Sequence, residues 1–236
     1  MKQTPSLLFS IVILIAILGL GYQLSNAIVR FKTIDRNVVV KGLSEREYPA
    51  DKVIWPIQFV EASNELSTLY AQMDATANAI TAFLEEQGVA GDAISLSRPQ
   101  ITDKWANQYG GGPMPELRYT AAQTVTVYSE EVQHIRAVMG KISSLIKQGI
   151  ALGGDAYYDQ TEYLFTRLND VKPDMIEEAT KNAREVAQKF AQDSDSKLGQ
   201  IRYASQGQFS VGSRDQNTPH IKKVRVVTTL NYYLVD

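Results

Sequence analysis

Few residues in this 236-residue chain are of the types that enzymes use as nucleophiles, bases or metal ligands. The chain has no cysteine, which excludes thiol catalysis, disulfides and cysteine-ligated zinc or iron–sulfur clusters. Its two histidines, His134 on a predicted helix and His220 in a predicted loop, have no spacing typical of a metal site. No Gly-x-Ser-x-Gly nucleophile elbow is present. We therefore predict a non-enzymatic protein with no catalytic residue, no cofactor and no metal ion.

One loop has residues that suit contact with another molecule. Residues 103–117 contain three glycines and two prolines, which prevent a continuous helix or strand. The glycine triplet is not a phosphate-binding loop, because no Lys-Ser/Thr pair follows it. We predict that this loop contacts a subunit or a ligand, and the alternative is an exposed tip whose aromatic residues have no partner. The candidate interaction residues are Trp105, Tyr109, Gly111 and Pro113.

The composition is that of an ordinary folded protein. Lysine and arginine total 24 against 26 aspartates and glutamates, and 44% of the residues are hydrophobic. This balance excludes an intrinsically disordered chain. With a sequence pI of about 5.8 and no basic tract, the chain is not expected to bind nucleic acid.

The N-terminus contains an apolar run without charge at residues 7–22, preceded by Lys2. Three interpretations stay open for residues 1–29: an uncleaved single-pass membrane anchor, a signal peptide cleaved after Ala27, and a buried core helix. We favour the anchor, with the lipid bilayer as its partner. In either of the first two interpretations, residues 30–236 form a domain on the extracytoplasmic side of the membrane. The predicted anchor residues are Leu7, Ile11, Ile13, Ile15 and Leu18.

Hydrophobic periodicity predicts an alternation of strands and helices after this segment. Residues 51–61 have period two, with Pro56 indicating a sheet edge or a bulge. Residues 64–87 have the period of a helix, capped by Ser63 or Asn64 and ended by Gly88. Helices are also predicted over 129–149 and 170–194, and strands over 38–42, 94–102, 119–128, 156–166, 201–209 and 221–235.

The order of these elements predicts an α+β fold. A strand–helix–strand succession occurs near 51–102 and again near 117–166, so we expect consecutive βαβ units. The expected architecture is an antiparallel-rich sheet packed by three helices and preceded by one hydrophobic helix. The predicted inner face of the third helix consists of Ile176, Ala179, Ala183, Val186, Ala187, Phe190 and Ala191.

Several short motifs together resemble the SIMPL-domain family of bacterial cell envelopes. The segment Val38-Val39-Val40-Lys41-Gly42 followed by Tyr48-Pro49-Ala50-Asp51 is similar to its V-x-G…P-D opening, with one added alanine. Gly88-Val89 followed by Asp92-Ala93-Ile94 is similar to its turn after the first helix. The alanines of the third helix with Leu198-Gly199, and Tyr119-Thr120-Ala121 with Val125-Thr126-Val127, add two more matches. The resemblance covers residues 36–236.

The resemblance implies a periplasmic or membrane-associated protein without established catalytic residues. Some relatives assemble into ring-like or channel-like oligomers, and some are linked to oxidative-stress defence. We therefore expect a self-assembling structural or interaction protein, with a homo-oligomer as the functional form. The alternative is a monomeric, membrane-tethered module that binds a small ligand or an envelope partner.

Overall fold

A computed structural model describes residues 4–34, 36–106, 114–153 and 161–235, with backbone alone for 4–8, 26 and 28–34. The chain divides into two compact units. The first unit consists of Met1–Glu45, Val171–Ser210 and Arg225–Asp236. The second unit consists of Arg46–Asp170 and Val211–Val224.

The described residues form an α+β structure with two antiparallel sheets, which confirms the predicted α+β class but not the expected consecutive βαβ units. The elements are α1 (Thr4–Ile34), β1 (Asn37–Pro49), β2 (Lys52–Ser63), α2 (Leu66–Glu86), β3 (Ile94–Leu96), β4 (Gln100–Asp103), β5 (Tyr119–Ser129), α3 (Val132–Met139), α4 (Ser143–Lys147), β6 (Glu162–Leu164), α5 (Leu168–Asp193), β7 (Lys197–Gln206), β8 (Ser210–Ser213) and β9 (Ile221–Val235). One sheet has the order β1-β9-β7, with β8 also paired to β9, and the other has the order β3-β5-β2-β6, with β4 also paired to β5. The sequence predicted one sheet rather than two.

The core of the second unit lies between the β2–β5 pair and helix α2. The alternating residues predicted to face inward on β2 are all buried, and they are Val53, Trp55, Ile57 and Phe59. Trp55 lies opposite Val127, and Ile57 lies opposite Val125, so both strands bury the same face. The period-two pattern predicts this strand well because only one of its faces is fully buried.

Helix α2 differs from its prediction at the N-terminus. It begins at Leu66, and no side chain caps it. The Oγ of Ser63 accepts a hydrogen bond from the backbone N–H of Glu65, whereas the Oδ1 of Asn64 accepts one from Arg118 in a different segment. The predicted caps are therefore used in a turn and in a tertiary contact. Gly88 ends the helix region at a φ of +86°, as predicted.

The other differences follow from breaks within predicted elements. The helix predicted over 129–149 is divided into α3 and α4, so four helices rather than three follow α1 in the described residues. The strand predicted over 94–102 is divided into β3 and β4, and Pro99, which has no N–H to donate to a sheet, lies between them. Only β6 is described within the strand predicted over 156–166, because residues 154–160 lie outside the described residues.

The first unit is built on close packing between β1 and α5. The buried face of α5 is a stripe with a step of four residues: Met175, Ala179, Ala183, Ala187 and Ala191. The predicted inner positions Val186 and Phe190 are wrong, because both side chains are exposed. The helix turns its smallest side chains toward the sheet because the backbone of β1 approaches too closely for larger ones.

Gly42 is the point of closest approach. A Cβ added there would lie 1.8 Å from the carbonyl oxygen of Ala179 and 2.4 Å from the backbone nitrogen of Ala183. Both obstacles are backbone atoms of a helix, so they cannot move aside as a side chain could. Any residue other than glycine at this position must therefore push α5 away from β1.

We predict that Gly42→Ala lowers the free energy of unfolding by about 3 kcal/mol, at the upper end of the usual cost of overpacking. Gly212→Ala is the matched control, because no atom lies within 4 Å of the Cβ it would add on β8. The control should stay within ~1 kcal/mol of the parent. Urea unfolding followed by circular dichroism measures both values, and equal stabilities for the two variants would contradict the packing argument.

Helix α1 confirms that the N-terminal apolar run is helical. Among the predicted anchor residues, the side chains of Ile11, Ile13, Ile15 and Leu18 are exposed. Leu7 lies in the helix, but its side chain is outside the described residues. In the parts of the chain that the structure describes, no helix is both long and apolar enough to cross a membrane.

Candidate functional site

The base of the predicted interaction loop is held by four side chains, which we call the loop-base cluster: Asp103, Trp105, Arg118 and Tyr119. Antiparallel pairing of β4 with β5 places Asp103 opposite Tyr119. The backbone N–H of Lys104 donates to the carbonyl oxygen of Arg118 at 2.8 Å, which closes the hairpin one step further. The cluster therefore lies where the chain leaves β4 and returns to β5.

Asp103 and Arg118 form the charged centre of the cluster. The Nε and Nη2 atoms of Arg118 donate to Oδ2 of Asp103 at 3.1 and 2.9 Å. Oδ1 of Asp103 also accepts the backbone N–H groups of Trp105 and Ala106. The hydrogen bonds from Arg118, followed by those from the backbone, hold the pKa of the Asp103 carboxyl below its ordinary value. One carboxylate thus fixes both the arginine and the first turn of the loop.

The guanidinium of Arg118 also lies against two aromatic rings. Its Cζ atom is 5.2 Å from the ring centre of Trp105 and 4.7 Å from that of Tyr119. The Nε1 of Trp105 donates to the carbonyl oxygen of Pro115 at 3.2 Å. The indole is therefore held by a cation–π contact and a hydrogen bond, yet 40% of the residue remains exposed. A fixed and half-open aromatic ring can contact a partner at low entropic cost.

The structure places only part of the predicted interaction loop. Trp105 belongs to the loop-base cluster, whereas Tyr109, Gly111 and Pro113 lie outside the described residues. Sequence reasoning missed Asp103 and Arg118 because they are fifteen positions apart and meet only through strand pairing. Their position just before and just after the glycine-rich segment was the available signal.

Arg118→Lys is predicted to release Trp105 while keeping the positive charge, because an ammonium lacks the planar surface that stacks on the indole. Trp55 is the other tryptophan and is buried, so acrylamide quenching reports mainly on Trp105. We expect a larger quenching constant for Arg118→Lys than for the parent. In a Trp105→Phe background, the same lysine change should alter quenching very little. An unchanged constant in the Trp105-containing variant would contradict the stacking role.

The two histidines lie in different surroundings within the second unit. His134 is half-buried on α3, and its Nε2 is buried without a hydrogen-bond partner. His220 precedes β9, as the sequence predicted, but only 9% of the residue is exposed, which the sequence did not predict. In the described residues, no three histidine, aspartate or glutamate side chains are placed to hold a metal ion.

His220 is held by its backbone and by a ring contact. Its carbonyl oxygen accepts the N–H of Ala50 at 2.8 Å, and its imidazole meets the ring of Tyr163 edge-on at 6.0 Å. Burial lowers the pKa of His220, and the guanidinium groups of Arg136 and Arg214 lower it further, against an opposing effect of Asp215. The imidazole is therefore uncharged at neutral pH.

The lowered pKa of His220 makes the stability of the chain depend on pH. As the pH falls below the ordinary value of 6.5, the unfolded chain binds a proton before the folded chain does. The uncharged imidazole of His220 therefore contributes fully to the free energy of unfolding above pH 6.5. This contribution is lost as the pH falls through the pKa of His220 in the folded chain. We predict that His220→Asn reduces the loss of stability between about pH 7.5 and 5.5, measured by urea unfolding. A variant with the parent's full pH dependence would show that the contribution arises elsewhere.

Comparison with known protein families agrees with the motifs and the α+β fold. The family model of SIMPL, described as a protein of unknown function (DUF541), matches residues 38–227. This match spans most of the chain, including Gly42, the alanines of α5, the loop-base cluster and His220. The chain belongs to the SIMPL family, and the predicted resemblance is confirmed. No curated protein matches the chain.

Proposed function

We propose that this SIMPL-family chain is a non-enzymatic interaction protein that contacts a second copy of itself through the loop-base cluster. The main support for this proposal is the position of Trp105, which Arg118 and Pro115 hold in place while 40% of the residue stays exposed. Rigid aromatic side chains beside an arginine are typical of interface hot spots. A symmetric dimer or a ring would use the same residues in every copy.

The edge strand β7 supports the same proposal from the first unit. In the described residues, β7 pairs with β9 alone, and Ile201 and Tyr203 on it are both exposed. An exposed strand edge with apolar side chains can add a strand from another chain. The register shifts between Leu198 and Ile201 and between Ile201 and Tyr203 interrupt the pairing. Bulges disrupt a ladder locally, so they limit the length over which another strand can pair with β7.

Truncation of Trp105 tests the self-association directly. The purified full-length chain in detergent micelles should give a discrete oligomer by light scattering coupled to size exclusion. Trp105→Ala should weaken that oligomer at least about tenfold, as the loss of an interface hot spot does. Tyr70→Ala is the matched control, because Tyr70 is an aromatic residue on α2 that is at least as exposed as Trp105. An unchanged mass for Trp105→Ala, or an equal effect of the control, would reject the cluster as the contact.

The location proposed for this protein is the cell envelope. Its support is the uncharged apolar run of residues 7–22, whose described side chains are exposed along α1. An exposed helix that is apolar on all sides is not stable in water and must be covered by another apolar phase or removed. Export explains both fates, since the segment can stay as an anchor or be cleaved as a leader.

Intact-mass spectrometry of the protein isolated from cells separates these two fates. A mass that includes residues 1–27 indicates a retained segment, and a mass that lacks them indicates a cleaved leader. The proposal places the folded residues outside the cytoplasm in both cases, and protease treatment of spheroplasts checks this location. Full-length protein that is protected from protease until the cells are lysed would contradict export.

A monomeric binding module is the second candidate function. The observation that favours it is a polar cleft beside His220 in the second unit, with a volume of about 950 Å³. Light scattering distinguishes the candidates, because a binding module gives a monomer whose mass Trp105→Ala does not change.

A further inference from the structure

The cleft beside His220 is built from four segments of the second unit. Arg136 lies on α3 and Tyr163 lies on β6. Thr161 directly precedes β6, and Ser213 is the last residue of β8. The turn between β8 and β9 supplies Asp215, Asn217 and His220. Nearly every lining side chain carries a polar group, so the cleft suits a hydrophilic ligand.

The β8–β9 turn forms a fixed wall. Asp215 accepts the backbone N–H groups of Asn217 and Thr218, both at 2.8 Å, and also binds the hydroxyl of Thr218. The N–H of Arg214 donates to the carbonyl oxygen of Ile221, which closes the hairpin below the turn. The hydroxyl of Thr218 and the Nε of Arg214, which donates to Oδ2 of Asp215 at 3.0 Å, lower the pKa of Asp215 to about 2, and the two backbone N–H groups lower it further. The wall is therefore organised before any ligand arrives.

His220 lines this cleft without a polar partner of its own. The residue is more than nine-tenths buried, and its imidazole makes no hydrogen bond to the described residues. Its ring nitrogens are not among the buried side-chain atoms that lack a hydrogen-bond partner, so they open into the cleft that the residue lines. A ligand in the cleft can therefore reach the imidazole and accept a hydrogen bond from it.

The charges around the cleft favour an anion. Arg214 is paired with Glu47 and Asp215, at 3.5 and 3.0 Å. Arg136 donates to Gln133 at 3.1 Å but has no carboxylate within 4.0 Å among the described residues. Among the described residues Arg136 is thus a charged lining residue without an ion pair, and its guanidinium can bind a carboxylate or phosphate through two hydrogen bonds.

We propose that this cleft binds a small hydroxylated oxyanion, a sugar acid or a sugar phosphate, with Arg136 on the anionic group and His220 donating a hydrogen bond to it. Thr161, Ser213 and Asn217 supply hydrogen-bonding groups for the hydroxyls. The volume of about 950 Å³ is within the range of small-molecule sites and exceeds the need of a bare inorganic ion. The site is independent of the self-association proposed for Trp105.

The small number of histidines gives a direct test. The full-length chain labelled with ¹³C-histidine gives two imidazole signals, which His134→Gln and His220→Asn assign. Titration with glucuronate and with glucose 6-phosphate should shift the His220 signal to saturation and leave the His134 signal in place. The two probes distinguish a carboxylate from a phosphate ligand, and glucose is the uncharged comparison.

Charge-matched variants test the role of Arg136. Arg136→Gln should weaken the binding of either anion at least about tenfold, which is the usual loss for one charge-assisted hydrogen-bonded pair. Lys147→Gln makes the same change in net charge at an exposed position on α4 and should bind like the parent. Both variants must give the parent's circular dichroism spectrum.

Three results would overturn the proposal. No saturable shift of His220 with either anion would show that the cleft is not an oxyanion site. Equal affinity for glucose would show that the charge of Arg136 is not used. If Arg136→Gln and Lys147→Gln weaken anion binding equally, the loss of affinity follows the net charge of the chain and not a contact with Arg136. A monomeric chain that still binds glucuronate would leave this proposal standing while it removes the self-association.

Discussion

The first unit depends on one contact, in which the backbone of β1 at Gly42 lies directly against the backbone of α5 at Ala179 and Ala183. The missing Cβ of glycine allows the strand to approach, and the alanine stripe allows the helix to meet it. Val40, Ala183, Ala187, Leu230 and Tyr232 pack around this contact as a small core. The V-x-G motif and the alanine-rich helix, far apart in sequence, are thus two sides of one interface. These family motifs describe packing, which is why they carry little information about chemistry.

The groups suited to recognition lie in the second unit and are built differently. Asp103 and Arg118 hold Trp105 at the end of a hairpin, and the fixed β8–β9 turn presents His220 to a polar cleft. Neither arrangement depends on the alanine stripe. In the first arrangement a partly buried ion pair holds one side chain that a partner can contact. In the second arrangement a hydrogen-bonded turn does the same.

Local patterns predicted the elements best where one face is buried and the other is not. The bounds of β9 and the inward residues of β2 follow directly from alternation. The face of α5 was mispredicted at Val186 and Phe190, because hydrophobicity alone selects the largest residues and the close approach at Gly42 selects the smallest. The meeting of Asp103 with Arg118 and the burial of His220 depend on strand register and on the β8–β9 turn. No local pattern contains that information.

The most direct test of recognition at the loop-base cluster is photo-crosslinking in living cells. Met114 is exposed beside Pro115, so replacing it with benzoylphenylalanine leaves the contact between Trp105 and Arg118 intact. Illumination should give one discrete adduct of twice the chain mass, and the same residue at position 70 on α2 should give none. Absence of an adduct at position 114, or the same adduct from position 70, would contradict self-association through this cluster.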